Sequence, residues 1–167
     1  MNVTLVLGGT RSGKSRFAES LCQRPRSYVA TAQAFDVEMK ARIAKHREDR
    51  GAGWNTLEAP FELVRALQEA KGDVLLDCLT LWLTNLVMHD KDAEAEVAAF
   101  VEALKHTPNK IIIVSNELGL GLVPEHGLSR RFRDLHGLMN QRVAEAAQCV
   151  VFMVAGIPQV IKGRLPE

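Results

Sequence analysis

Two hydrophobic rhythms alternate along the chain. Short, largely apolar runs occupy residues 3–7, 28–32, 74–77, 111–114 and 149–154. Each is strand-sized, and the near absence of polar positions suits strands covered on both faces. The stretches between them carry apolar residues three and four apart. Phe17 and Leu21 share a helical face just after the first run. Asp36 is placed to cap a helix running to about Arg50, before Gly51 and Gly53. Pro60 stands near the start of another helix, with Phe61, Val64 and Leu67 on one side. Residues 79–88 form a helix-sized apolar segment. Asp92 is placed to cap a helix with the stripe Val97, Val101 and Leu104. Ser129 is placed to cap one carrying Phe132, Leu135, Met139 and Val143. Strands alternating with helices predict an α/β fold with a mainly parallel sheet and helices on both faces. No repeat, low-complexity tract or linker interrupts residues 1–167, so a single domain is expected.

The loop after the first run concentrates the chemistry. Gly8-Gly9-Thr10-Arg11-Ser12-Gly13-Lys14-Ser15 matches G-x-x-x-x-G-K-S, the phosphate-binding P-loop, in its required strand–loop–helix setting. Gly8 and Gly13 permit sharp turns whose N–H groups converge on phosphate oxygens. The following helix adds its positive end. Lys14 reaches β- and γ-phosphates, and the Ser15 hydroxyl is a Mg²⁺ ligand.

Open α/β sheets bind ligands beyond the carboxyl ends of their strands. Thr31, Asp77 and the pair Asn116-Glu117 occupy such ends. Asp77 closes an apolar strand as a Walker B aspartate does, placed either to hold Mg²⁺ opposite Ser15 or to cap the next helix. Asn116 and Glu117 suit either substrate contact or turn formation before Gly119 and Gly121. Arg42, His46 and Arg50 fall four apart on one helical face, with Lys45 and Arg47 beside them. Neighbouring cations disfavour imidazolium and keep His46 neutral, although a charged helix face with one histidine is commonly just solvated. Trp54 is either a base-stacking platform or a core anchor. His89, His106, His126 and His136 read as surface or packing residues.

Bulk properties narrow the partners. The 167 residues carry a net charge of +1, with 5% aromatics. That gives no field or stacking platform for nucleic acid. No apolar run approaches the ~20 residues that span a bilayer, and no signal peptide is read at the N-terminus. Cys22, Cys78 and Cys149 are odd in number and far apart, which fits neither a zinc site nor a disulfide framework. A cytoplasmic setting is expected.

From end to end the chain resembles the bifunctional cobalamin-biosynthesis family of adenosylcobinamide kinase / adenosylcobinamide-phosphate guanylyltransferase. The likeness rests on the P-loop and on Tyr28-Val29-Ala30-Thr31-Ala32. It extends through Glu38-Met39 and Ala41-Arg42-Ile43 to His46, through Arg50 to Trp54, and to Glu58. Leu75-Leu76-Asp77-Cys78-Leu79-Thr80 with Asn85-Leu86 also matches. So do Asn116-Glu117-Leu118-Gly119-Leu120-Gly121, Phe132-Arg133-Asp134, Asn140-Gln141 and Gly156-Ile157-Pro158. His126 departs from the pattern, where a small polar residue, typically asparagine, is expected.

The resemblance implies a RecA-like P-loop NTPase fold and two reactions. A nucleoside triphosphate, ATP or GTP, phosphorylates the aminopropanol hydroxyl of adenosylcobinamide. GTP then transfers GMP to that phosphate, giving adenosylcobinamide-GDP and pyrophosphate. It further implies a guanylyl-histidine at His46 and a homotrimer. Nucleotide contacts are implied from Ala30, Thr31, Ala32, Arg47, Glu48, Asp49, Arg50, Glu58 and Asp77. The competing readings are a P-loop kinase of another small molecule and a RecA-like nucleic-acid-dependent ATPase. A nucleotide switch would need an N-K-x-D guanine motif, and none is present.

Overall fold

The computed structural model describes residues 2–34 and 37–166, the side chains at positions 42, 46 and 49 excepted. The strands are β1 (Asn2–Gly8), β2 (Arg26–Ala30), β3 (Asn55–Glu58), β4 (Asp73–Asp77), β5 (Lys110–Asn116), β6 (Cys149–Val154) and β7 (Ile157–Lys162). The helices are α1 (Lys14–Ser20), α2 (Val37–Arg50), α3 (Leu63–Glu69), α4 (Leu79–Met88), α5 (Ala93–His106) and α6 (Gly127–Ala146). All seven strands join one sheet in the order β3-β2-β4-β5-β1-β6-β7. Neighbours from β3 to β6 run parallel, and β7 pairs antiparallel with β6.

Alternation along each strand divides the core between two faces. Val3, Leu5, Leu76, Ile111 and Ile113 face one way, against Leu63, Trp82, Phe100, Leu104 and Val143 of α3, α4, α5 and α6. Val6, Leu75, Ile112 and Val151 face the other way, against Ala18 of α1. The helices do cover both faces, as the pattern predicts. Among the described residues, none of the buried core side chains comes from α2.

Several expected boundaries move. The second strand ends at Ala30, so Thr31 and Ala32 lie in the loop beyond it. The last helix begins at Gly127, so Ser129 lies inside it and does not cap it. Helix α3 buries Leu63, Ala66 and Leu67, while Val64 is only half-buried. Asp92 caps as expected, its side chain accepting from the Ala95 amide at 3.1 Å. The expected Asp36 cap lies outside the described residues. Strands β3 and β7 carry no clear signal in the sequence.

Candidate active site

The P-loop spans the gap between β1 and α1, at the carboxyl edge of the sheet. Two of its three glycines, Gly8 and Gly13, are required by geometry. A Cβ on Gly8 would stand 2.5 Å from Ser12 Oγ and 3.0 Å from the Met153 carbonyl oxygen. Gly13, just before α1, has φ +90°, a conformation that side chains disfavour. Arg11 adopts φ 56° without being glycine, a local strain that the loop imposes. The first amides of α1 have no partner within the helix and are available to phosphate oxygens. Ser12 Oγ is buried and has no hydrogen-bond partner among the described residues. A cradle that only glycine fits, with an orphan hydroxyl inside it, suits a polyphosphate.

Lys14 folds back across the loop and donates from Nζ to the Gly9 carbonyl at 3.0 Å. Burial lowers its pKa, and the nearby Cys78 and Asp77 act in the opposite direction. Ser15 follows at the start of α1 and lines the same cleft as Asp77. Both offer hard oxygen donors of the kind Mg²⁺ prefers. Among the described residues no three His, Cys, Asp or Glu converge on a metal-sized site. A Mg²⁺ ion here would therefore complete its shell with phosphate oxygens and water.

The cleft holds about 930 Å³. Residues 10–15 form one wall, and the strand ends supply Ala30, Asp77 and Asn116. Ala32 lines it from the loop after β2, Arg47 and Arg50 from α2, and Glu58 from the end of β3. Arg47 and Glu58 form an exposed ion pair at 3.7 Å. Along α2, Met39, Ile43, Arg47 and Arg50 all reach the cleft. Position 46 falls at helical spacing between Ile43 and Arg50, three after one and four before the other. The side chains of His46 and Asp49 lie outside the described residues. Glu48 is exposed and is not among the cleft residues.

Thr31 is engaged by the backbone of the neighbouring strand end. It is fully buried, and Cys78 N donates to its Oγ1 at 2.8 Å. Its hydroxyl lies 2.9 Å from the Cys78 carbonyl and 3.1 Å from that of Asp77. Thr31 thus clamps the Asp77–Cys78 peptide, which is cis. Asn85 extends the clamp by donating from Nδ2 to the Thr31 carbonyl at 2.8 Å.

Tyr28 escaped sequence reasoning as a site residue. It lines the cleft, and its hydroxyl donates to Asp77 Oδ2 at 2.7 Å. Trp54 packs edge-on to the Tyr28 ring at 5.9 Å, with Arg26 stacked 4.1 Å from its own ring centre. Trp54 is therefore an anchor for Tyr28. Asn116 is held from behind: its amide donates to Thr80 Oγ1 at 3.0 Å, and its carbonyl accepts from Asn140 at 3.0 Å.

Comparisons with known proteins agree with this geometry. The family model described as cobinamide kinase / cobinamide phosphate guanyltransferase matches residues 4–161. The chain is 50% identical over 167 residues to the bifunctional adenosylcobalamin biosynthesis protein CobP of Pseudomonas aeruginosa, covering 95% of this chain and 96% of that one. It is 41% identical over 178 residues to the bifunctional adenosylcobalamin biosynthesis protein CobU of Escherichia coli, covering 95% and 98%. Among solved structures, a prototypical ATPase from the type III secretion system of pathogenic bacteria superposes with a TM-score of 0.54 at 10% identity. That match covers 95% of this chain and 56% of the other, and it speaks for the P-loop NTPase fold alone. With a P-loop cleft at the sheet edge and relatives matching over nearly their whole length, the chain belongs to the cobinamide kinase / cobinamide phosphate guanyltransferase family of enzymes.

Proposed function

We propose that this protein carries both of the family's activities in the one cleft. It phosphorylates the aminopropanol hydroxyl of adenosylcobinamide with ATP or GTP. It then transfers GMP from GTP to that phosphate through His46. The observation that carries this reading is the shared cleft. The P-loop wall faces the α2 wall of Met39, Ile43, Arg47 and Arg50 across one space, and position 46 lies on the same helix.

In the kinase step the P-loop amides hold the β- and γ-phosphates, and Lys14 exchanges the Gly9 carbonyl for phosphate oxygens. The hydroxyl oxygen of the corrinoid attacks the γ-phosphorus, the bond to the bridging oxygen breaks, the nucleoside diphosphate leaves and the hydroxyl proton is released to solvent. Ser15 and Asp77 would hold Mg²⁺, which would supply neutralisation of charge on the phosphates. In the second step a nitrogen of neutral His46 attacks the α-phosphorus of GTP, and pyrophosphate leaves. A phosphate oxygen of the corrinoid then attacks the phosphorus on His46, and the P–N bond breaks. Lys45 and Arg47 flank His46 in sequence and disfavour the protonated ring, which cannot act as a nucleophile.

The two attacks need different leaving groups in line. The nucleotide therefore takes two poses, or α2 moves. Gly51 and Gly53 follow α2 with φ +66° and +94°, which supplies a hinge. A homotrimer is part of the same proposal, supported by the apolar Ile157 and Ile161 exposed on edge strand β7. A cytoplasmic setting belongs to the same proposal, and no described helix is long and apolar enough to cross a membrane.

The test is intact-protein mass spectrometry after incubation with GTP and Mg²⁺. One guanylyl adduct is expected, mapping to His46 and absent from His46→Ala, which keeps phosphorylating the corrinoid. An unmodified chain, or an adduct that persists in His46→Ala, would sink the histidine route.

A further inference from the structure

We propose that Tyr28 is the positioning residue for Asp77, and that its hydroxyl decides which carboxylate oxygen Asp77 presents to a nucleotide-bound metal ion. This rests on the nucleotide-site reading above. Parallel pairing of β2 with β4 places Tyr28 beside Leu75 and Ala30 beside Asp77. Side chains alternate along a strand, so Tyr28, Leu75 and Asp77 share the sheet face covered by α1. The tyrosine ring is long enough to reach two positions along the neighbouring strand. Its hydroxyl meets Asp77 Oδ2 at 2.7 Å and occupies that oxygen, which leaves Oδ1 as the one through which Asp77 acts.

The ring is itself immobilised. The Arg50 guanidinium, at the end of α2, stacks 3.3 Å from its centre. Trp54 meets its edge, and Arg26 holds Trp54 from the other side. A carboxylate whose rotation is fixed in advance loses no freedom when a metal ion arrives.

Tyr28→Phe removes the hydroxyl and keeps the ring with its Arg50 and Trp54 contacts. Binding of a non-hydrolysable GTP analogue is measured calorimetrically with Mg²⁺ and with a chelator, for wild type, Tyr28→Phe, Asp77→Asn and the double variant. The metal-dependent gain in affinity is expected to fall about tenfold in Tyr28→Phe, with chelator-side affinity unchanged, as for loss of a hydrogen bond to a charged group. In the Asp77→Asn background, removing the hydroxyl should change that gain less than twofold, as expected for residues acting as one unit. A gain that survives in Tyr28→Phe, an equal loss with the chelator present, or additive losses would each overturn the proposal. A wild-type protein with no metal-dependent gain would instead overturn the nucleotide-site reading, and this proposal with it. Thermal melting of Tyr28→Phe is read alongside. If the variant does not fold, the hydroxyl is structural and the proposal fails.

Discussion

Lys14 shows how one residue can be poised without being engaged. Its ammonium is held at 3.0 Å by the Gly9 carbonyl of its own loop. Transferring it to phosphate exchanges a neutral acceptor for an anionic one, so that an ion–dipole contact becomes an ion pair with hydrogen bonds. Lys14→Ala should leave the melting temperature within a few degrees and lower kcat for corrinoid phosphorylation by about 10²–10³-fold, the scale of losing one preorganised charge-stabilising donor. Steady-state kinetics beside a thermal melt separates the two effects, and a loss confined to KM would count against a transition-state role. Lys14 was legible because its motif is contiguous. Tyr28 was not, because its partner Asp77 lies 49 positions away and meets it only through the β2–β4 register. Thr31 was legible as a polar residue at a strand end. Its task was not, since the peptide it clamps is 46 to 47 positions distant.

At the scale of elements, strong periodicity read correctly and weak periodicity did not. Strand β5 is buried at five consecutive positions, and its Ile-Ile-Ile-Val run announces it. Strand β3 is four residues, Asn-Thr-Leu-Glu, with no buried position. Strand β7 is exposed throughout and carries Pro158, which an edge strand tolerates and a central one does not. Helix starts give a direct contrast. Asp92 accepts from the Ala95 amide, whereas Ser129 lies two residues inside α6, past a His126 that makes no side-chain cap. Asp92→Ala should therefore cost about 1 kcal/mol of folding stability, the usual value of an N-cap. Ser129→Ala, on the exposed face of an established helix, should stay within about 0.5 kcal/mol of wild type. Urea unfolding of both variants checks the pair, and equal losses would contradict the observed start of α6.

At the scale of the molecule, one buried polar network joins α4, β5 and α6 behind the cleft. Asn116 N–H donates to Thr80 Oγ1, whose hydroxyl lies 2.9 Å from His136 Nε2. Ser115 Oγ donates to Asn140 Oδ1 at 2.8 Å, and Asn140 returns to the Asn116 carbonyl. A neutral imidazole accepts from Thr80 and completes this set, whereas an imidazolium would place a charge in a residue only 1% exposed. Burial accordingly pushes the His136 pKa down to about 4, with Glu117 pulling weakly the other way. The unfolded chain has an ordinary histidine near 6.5, so it binds the proton first as pH falls. The stabilising contribution is whole above about 6.5 and is lost progressively toward about 4, roughly 3 kcal/mol in all. Carboxylates blur the lower part of that range, so the comparison belongs between pH 7 and pH 5. There wild type should lose about 2 kcal/mol more than His136→Gln, a neutral residue that cannot take up the proton. Denaturant unfolding at the two pH values measures the difference. Parallel losses in the two proteins would mean that His136 is already charged in the fold, and that Asn116 is held at the cleft by something other than this neutral network.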